Sequence, residues 1–405
     1  MNIEICLEAV DLILDSIYST GEQQQLLANF TIKNPEEKIS FLYSGIGTTI
    51  YIRDDKSYLK AIVYIKKNGL SYLDELSIFE VRKLVTNFVI RNFWYIKDGE
   101  LSRNHSISYR DQISDLPKIN FAKALLKSDL FSVSNIIYLY PFNSIISKVK
   151  LKGSNFFILD AKDISLSDTS FENLKANIDF SKYPCLIDER RNSRLIRTWI
   201  GIKAPNEKTA AKILSSILGT LALFESSKKR YIFSGITPDT GCCYFSENSY
   251  TFRETEPNLP SLYYNLQVEH HLLGILNELD EVILNKIQGS KKISSLINFY
   301  KSWFEKDGER YRTLFSSVDS LLETKSNHSR VFTDFVINHT NNQFDNDRIR
   351  LLLSIRGDVV HGKSPNLYEC RDYELYVEKY LSDPLHDIQD IVEICLKNFI
   401  FNIRD

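Results

Sequence analysis

One arginine and one histidine stand five positions apart near the carboxyl end of the chain, in the sequence RGDVVHGK of residues 356–363. A histidine changes its charge near neutral pH, so His361 is suited to take a proton from a ribose 2′-hydroxyl or to give one to a leaving oxygen. The guanidinium of Arg356 is suited to hold a phosphate and to stabilise the charge that develops on it. Together they predict metal-free cleavage of RNA, because internal transesterification uses the 2′-hydroxyl that DNA lacks. Asp358 and Lys363 are predicted to support the orientation of these groups or the approach of RNA.

The five-residue spacing is awkward for one straight helix, since it separates the two side chains by about 140° around the axis. They converge if the helix ends near His361, which a left-handed Gly362 and the later Pro365 favour. They also converge if two copies of the helix meet across a two-fold axis. A purely structural role stays open, because a histidine at a helix carboxyl end is stabilised by the helix dipole and Arg356 is able to pair with Asp358 or another acid.

A second candidate for contact with nucleic acid is a group of arginines in the middle of the chain. Clustered guanidinium groups bind phosphates, so this group is a weak candidate RNA-binding surface. Asp188 and Glu189 stand directly before it and lower the local positive charge, so a solvated surface is the competing interpretation. The group consists of Arg190, Arg191, Arg194 and Arg197.

The sequence predicts neither a metal site nor a cofactor. The six cysteines are scattered and no CxxC pair occurs, which argues against zinc and is typical of reduced, buried thiols. His270 and His271 are adjacent, so on a helix they point about 100° apart rather than toward one ion. The segment SGIGTT at residues 44–49 lacks the third glycine of dinucleotide-binding loops, and no full GK[ST] phosphate loop occurs, so this segment predicts a turn.

Composition places the chain among ordinary folded proteins with more than one domain. Its 405 residues are 43% hydrophobic and 25% charged, and 50 basic residues nearly balance 52 acidic ones. The amino terminus carries acidic residues where a signal peptide would be basic, and no apolar run of about 18 residues occurs. We therefore expect a cytoplasmic protein without a membrane partner.

Hydrophobic periodicity divides the chain into an α+β amino-terminal region, residues 1–258, and an all-α carboxyl-terminal helical bundle, residues 259–405. A further division of the first region near 150–185 stays open. The bundle is predicted to hold four to six helices joined by short loops. The main elements predicted in the first region are an opening helix, three strands between residues 38 and 69, a helix over 74–96, strands within 134–161 and a helix over 207–224.

The last quarter of the chain resembles the HEPN superfamily, and within it the Apea-like branch. The resemblance covers residues 291–403 and follows the helical segments ERYRTLFSSVDSLLE, RVFTDFVINH and RIRLLLSIRGDVVHG. HEPN domains are helical bundles that carry an arginine, four to six residues and a histidine late in the bundle. Gly357 departs from the pattern, since active members often carry Asn or Asp after the arginine. The positions that match the branch are Arg356, Val360, His361 and Gly362.

The resemblance implies a metal-independent ribonuclease that acts as a homodimer through the bundle, with Arg356 and His361 of each subunit lining one cleft. Such proteins often belong to toxin or antiphage defence systems. The leading hypothesis is therefore a cytoplasmic endoribonuclease without a cofactor, whose residues 1–258 sense a trigger, contact a partner or restrain the nuclease. Two alternatives stay open: an inactive HEPN module that only dimerises while the first region binds a ligand or partner, and a bundle that binds a nucleotide without cleaving RNA.

Overall fold

The chain forms two compact units, Met1–Ser134 and Asn135–Asp405. The order of their elements confirms an amino-terminal region of helices and strands and a helical carboxyl-terminal region. The boundary between the units differs from the one expected near residue 258, which lies within the second unit. The computed structural model describes residues 3–18, 25–31, 47–96, 106–132, 136–169, 178–185, 193–225, 240–246, 249–258, 266–285, 289–322, 327–360 and 366–403.

The first unit packs helices around a core of its own. Its opening helix buries Val10, Ile13 and Leu14 on one face, as the periodicity of the sequence predicts. Ser77 and Glu80 form a reciprocal capping box at the start of α3, which fixes where that helix begins. The helices are α1 (Ile3–Ser16), α2 (Asp55–Asn68), α3 (Ile78–Asn92), α4 (Tyr109–Gln112) and α5 (Asp115–Lys127).

The prediction of three strands between residues 38 and 69 is confirmed for one, wrong for one and untested for the third. Residues 58–68 belong to α2, because the buried side chains follow helical rather than alternating spacing and Asp54 caps the helix by accepting from the N–H of Lys56 at 2.9 Å. Residues 38–45 lie outside the described part of the chain. The strands of this unit are β1 (Ile17–Tyr18), β2 (Gln25–Thr31) and β3 (Gly47–Ile52), which form an antiparallel sheet in the order β1-β3-β2.

The core of the first unit contains titratable side chains, among them a cysteine and a tyrosine on neighbouring helices. Cys6 of α1 and Tyr58 of α2 are both fully buried. Burial raises the pKa of the Cys6 thiol from 9.0 to about 11. Burial likewise raises the pKa of the Tyr58 hydroxyl to about 12, although its hydrogen bond with Thr86 opposes this shift. Both groups are therefore harder to ionise in the folded chain than in the unfolded chain.

The second unit is built on a six-stranded antiparallel sheet in the order β12-β11-β4-β10-β7-β6. A parallel pair, β5 with β13, lies beside it. The strands are β4 (Ile137–Phe142), β5 (Ile145–Ser147), β6 (Leu151–Lys152), β7 (Phe156–Asp160), β8 (Lys182–Tyr183), β9 (Arg194–Leu195), β10 (Thr198–Lys203), β11 (Thr240–Ser246), β12 (Ser249–Asn258) and β13 (Leu266–Val268).

Both faces of this sheet are buried, which explains why its central strands read as continuous apolar runs. Tyr140 and Ile200 face a core that they share with the helices, whereas Leu139 and Trp199 face a smaller core on the opposite side. The Trp199 indole donates a hydrogen bond to the carbonyl of Phe180 at 2.6 Å, so its polar atom is satisfied inside the smaller core.

Helix α6 (Glu207–Phe224) covers the first face of the sheet. The helix predicted over residues 207–224 is confirmed, and Asn206 caps it, because the Asn206 side chain accepts from the N–H of Thr209 at 2.9 Å. Gly219 lets α6 approach the helix Gly289–Ser302 closely, since a Cβ there would lie 2.5 Å from the carbonyl oxygen of Leu296. The helices after β13 are α7 (His270–Leu284), α8 (Gly289–Ser302), α9 (Asp307–Asp319), α10 (His328–His339), α11 (Asn346–Val360), α12 (Arg371–Tyr380) and α13 (Pro384–Phe401).

A buried carboxylate connects these helices to the sheet. Asp280 of α7 is 6% exposed and accepts from the backbone N–H groups of Ser154 at 2.6 Å and Asn155 at 2.9 Å. These residues form the turn between β6 and β7. The sheet and the helices also share one hydrophobic core, so they form one structural body. In the described part of the chain, no helix has both the length and the apolarity that a membrane span requires.

Candidate active site

Helix α11 positions the arginine of the predicted motif. Its inner face buries Ile349, Leu352, Ile355 and Val359, each at most 4% exposed, which anchors the helix in the bundle. Arg356 follows one of these anchors and lies four residues before the last helical residue, so its side chain leaves the core at the edge of the bundle.

Asp319, the last residue of α9, holds the guanidinium of Arg356. Nη2 of the arginine donates to Oδ2 of the aspartate at 2.6 Å, and the two side chains are 23% and 22% exposed. The ion pair is therefore mostly shielded from water but open on one side. Arg356 therefore pairs with an acid on a neighbouring helix. Among the described residues its ion pair is with Asp319, and not with Asp358, the partner that the sequence left open.

The second oxygen of the same carboxylate binds a histidine. Nε2 of His328, the first residue of α10, lies 2.8 Å from Oδ1 of Asp319. A carboxylate only accepts hydrogen bonds, so Nε2 carries the proton and donates it. In the neutral imidazole the other ring nitrogen, Nδ1, is then the basic one. The His328 side chain is 43% exposed, so it is accessible to solvent.

An aromatic layer lies beneath these polar groups. The guanidinium carbon of Arg356 is 5.2 Å from the centre of the Phe315 ring, and Phe315 packs 5.1 Å from Phe332. The His328 ring lies 6.2 Å from the same Phe332 ring. Both phenylalanines are fully buried. A cation above an aromatic face is stabilised by the ring quadrupole, so the layer fixes the arginine from below while Asp319 fixes it from the side.

Arg312 of α9 closes the end of α11. Its Nη2 donates to the backbone carbonyl of Val359 at 2.6 Å, and its Nη1 lies 3.1 Å from Glu309. A donor at this position satisfies one of the carbonyls that have no partner within the helix at its carboxyl end. The end of α11 is thus held by an arginine from the same helix that supplies Asp319.

Of the two residues predicted to support the motif, the structure describes Asp358 but not Lys363. The carboxylate of Asp358 accepts a weak hydrogen bond from the Cys370 thiol, with a sulfur–oxygen distance of 3.4 Å. Burial raises the pKa of that thiol, which keeps it protonated as the donor. His361, Gly362 and Lys363 lie outside the described part of the chain. The juxtaposition of Arg356 with His361 therefore stays a prediction.

The arginine group in the middle of the chain lies only partly within the described residues. Arg194 of β9 lies over the ring of Tyr183, at 5.4 Å from its centre, and Arg197 is exposed beside β10. Arg190 and Arg191 lie outside the described residues. The predicted RNA-binding surface therefore stays a prediction.

A second polar cluster of the bundle contains Arg348, which is 23% exposed like Arg356, and Asp387, which is 8% exposed. Arg348 donates from Nε to Tyr376 and to Asp387, each at 2.9 Å, and Asp387 also accepts from Ser382 at 2.7 Å. Burial raises the pKa of Tyr376, and its hydrogen bond to Asp387 raises it further. The rings of Phe344, Tyr376 and Tyr380 surround the guanidinium of Arg348. This cluster joins α11, α12 and α13, and its chemistry is that of a structural ion pair.

The residues that sequence reasoning missed are Asp319 and His328. Each lies at the end of its helix where its charge is least favourable, an acid at a carboxyl end and a histidine at an amino end. That misplacement is the signal in the sequence that would have found them. In the described part of the chain, no group of three or more His, Cys, Asp or Glu side chains is arranged as a metal site.

Comparison of the chain with models of protein families, with curated proteins and with solved structures finds no match.

Proposed function

We propose that the chain is a metal-independent endoribonuclease of the HEPN type, in which Arg356 binds and polarises a phosphate and His361 transfers protons. The observation that carries the proposal is the placement of Arg356, which lies at the partly exposed edge of a helical bundle and is held by Asp319 over an aromatic layer. An arginine fixed in this way loses little conformational freedom when it binds an anion, which is what a phosphate-binding group requires.

Arg356 keeps donors for a substrate while it is held. A guanidinium carries five N–H groups, and within the described residues one nitrogen, Nη2, is bound by Asp319. The remaining donors suit the non-bridging oxygens of a phosphodiester, which bind arginine in a bidentate manner. His361 follows the last residue of α11 by one position in the sequence and supplies the proton transfer.

The proposal includes the setting that the HEPN resemblance implies. The protein is cytoplasmic and acts as a homodimer through its carboxyl-terminal helices, as an effector of a toxin or antiphage system. RNA is the substrate, the chemistry uses no cofactor, and the first unit binds the trigger or partner that controls cleavage. Asp358, Lys363 and the arginines of the central region support the reaction or the approach of RNA.

A non-enzymatic function is favoured by one specific observation. The ion pair between Arg356 and Asp319 holds α9 against α11, so the arginine has a structural role without any chemistry. Gly357, where active HEPN members often carry a polar residue, agrees with this alternative. The protein would then be a dimerisation module whose other unit binds a ligand or partner.

Cleavage of total RNA by the purified full-length chain in EDTA distinguishes the two functions. We expect the wild type to leave 2′,3′-cyclic phosphate ends, and we expect Arg356→Ala and His361→Ala to be slower by about 10²–10⁴-fold. Arg350→Ala is the matched control, because Arg350 is an exposed arginine of the same helix and its loss should leave the rate unchanged.

Growth after induced expression gives a second measurement. The enzyme should be toxic as the wild type and harmless as Arg356→Ala, whereas the dimerisation module should be harmless in both forms. Equal cleavage by the wild type and His361→Ala, or no cleavage by either together with no toxicity, would contradict the nuclease.

A further inference from the structure

We propose that His328 is the general base of this nuclease and that Asp319 positions it. The inference rests on the proposed function and adds a catalytic residue that lies outside the RGDVVHG motif. It follows from one contact pattern: the two oxygens of Asp319 bind Nη2 of Arg356 at 2.6 Å and Nε2 of His328 at 2.8 Å. The phosphate-binding group and an imidazole are thereby brought to opposite oxygens of one carboxylate.

The contact determines which nitrogen of His328 does chemistry. Because Nε2 donates to the carboxylate, Nδ1 is left as the basic nitrogen of the neutral ring. An aspartate that holds one imidazole nitrogen so that the other accepts a proton is the arrangement used in catalytic triads. The side chain is 43% exposed, so a ribose is able to reach it from solvent.

The two histidines then divide the reaction. Nδ1 of His328 takes the proton of the 2′-hydroxyl, the 2′-oxygen forms a bond to phosphorus, and the bond from phosphorus to the 5′-oxygen breaks. His361, the proton-transferring group of the proposed function, gives a proton to that 5′-oxygen. The products are a 2′,3′-cyclic phosphate and a free 5′-hydroxyl, and no electrons are exchanged. Arg356 stabilises the added charge on the non-bridging oxygens.

The helix ends argue against a purely structural role for the pair. Asp319 ends α9 and faces the negative end of that helix dipole, while His328 begins α10 and, once protonated, faces the positive end of its own. Asn327, directly before His328, adopts a left-handed backbone with φ of 57°, which places the imidazole at the start of the helix. The position of each residue therefore lowers the stability of its own helix, and functional groups are often kept in such destabilising positions.

His328→Gln tests the inference, because the glutamine amide is able to keep a hydrogen bond to Asp319 but has no basic nitrogen. With full-length protein and an RNA oligonucleotide, we expect kcat to fall by about 10²–10⁴-fold while KM stays close to that of the wild type. The acidic limb of the pH profile of kcat should disappear as well. Within the described residues, His328 binds the carboxylate of Asp319, which also binds Arg356, and the substitution leaves both of these charged groups in place.

His386→Gln is the matched control. His386 is also an exposed histidine near an acid, with Nε2 at 4.0 Å from Asp383, but it lies on α13. This variant should keep the wild-type kcat and pH profile. A second variant, His328→Ala, should regain activity when free imidazole is added, which a histidine with only a structural role would not allow.

The outcomes separate the two proposals. A wild-type kcat and pH profile in His328→Gln overturns the base and leaves the nuclease intact. Loss of folding in His328→Gln, measured by circular dichroism, moves the decision to imidazole rescue of His328→Ala, and failure of that rescue also overturns the base. If the wild type cleaves no RNA, the nuclease and its base fall together.

Discussion

Removing the carboxylate of Asp319 should destabilise the second unit by an amount that can be worked from its contacts. Exposed ion pairs contribute about 0.2–1 kcal/mol, and breaking a fully buried pair costs about 3–5 kcal/mol. The Asp319–Arg356 pair lies between these limits, with its two side chains about three quarters buried. We therefore expect a coupling energy of about 1–2 kcal/mol between the two side chains.

The measurement is a double-mutant cycle of Asp319→Ala, Arg356→Met and the double variant, each unfolded in urea and followed by circular dichroism. The cycle isolates the ion pair, because the loss of the His328 hydrogen bond and the relief of the unfavourable helix dipole occur in both arms that lack Asp319. High salt should change the coupling little, since most of the pair is out of contact with solvent.

A matched double-mutant cycle on Arg330 and Asp334 measures the coupling energy of an exposed ion pair in the same bundle. These side chains are 83% and 61% exposed and lie four residues apart on α10, at 3.7 Å. Their coupling should be about 0.3–0.5 kcal/mol. If the Asp319–Arg356 cycle gives a coupling no larger than this control, the site does not hold the arginine as we argue, and the preorganisation on which the proposed function depends is absent.

Three further predictions address stability and use the same urea titration. Asp280→Ala should lower the free energy of unfolding by about 2–4 kcal/mol, because it leaves the backbone N–H groups of the β6–β7 turn without a buried charged acceptor. Gly357→Ala should raise it by about 0.5–1 kcal/mol, because a Cβ there meets no atom within 4 Å and alanine favours the helix. The free energy of unfolding should keep its full value below pH 9 and fall as the pH rises toward 12. The raised pKa values of Cys6 and Tyr58 are the reason, because they make the unfolded chain lose protons before the folded chain does. A constant free energy of unfolding between pH 8 and about 11 would contradict this prediction.

The elements that the sequence predicts well are those in which periodicity and capping agree. Helix α6 spans the residues 207–224 over which the sequence predicts a helix, and Asn206 directly before it caps its first turn. The run YLKAIVYIKKNG predicts a strand because it contains Tyr, Ile and Val, but it forms most of helix α2. Its buried positions Tyr58, Ile62 and Ile65 repeat every three to four residues, which is the better guide when composition and period disagree.

The neighbours of the candidate site could not be predicted from the motif. Arg356 finds its acid 37 positions earlier in the chain, at the end of another helix, and that acid binds a histidine nine positions after itself. Local spacing carries no information on such pairings, because they depend on how α9, α10 and α11 pack. The motif thus singled out Arg356, the proposed phosphate-binding side chain, but it gave no sign of Asp319, which binds that arginine, or of His328.

The boundary between the two compact units could not be predicted from the sequence either. The change in composition near residue 258 is real, since strands precede it and seven described helices follow β13. Composition records secondary structure, however, and a domain is defined by its core. The apolar faces of α6, α8 and the sheet fill one core, so the compact unit begins at Asn135.

The core that the sheet shares with the helices determines where this chain can be recombined with another chain and still fold. A recombination junction near residue 258 would separate α7 and α8 from the sheet and from α6, and would leave Asp280 facing a foreign turn. A junction between Ser134 and Asn135 keeps every partner of both cores together. Chimaeras joined there should express as folded protein, because the sheet and the helix that carries Arg356 then stay in one unit.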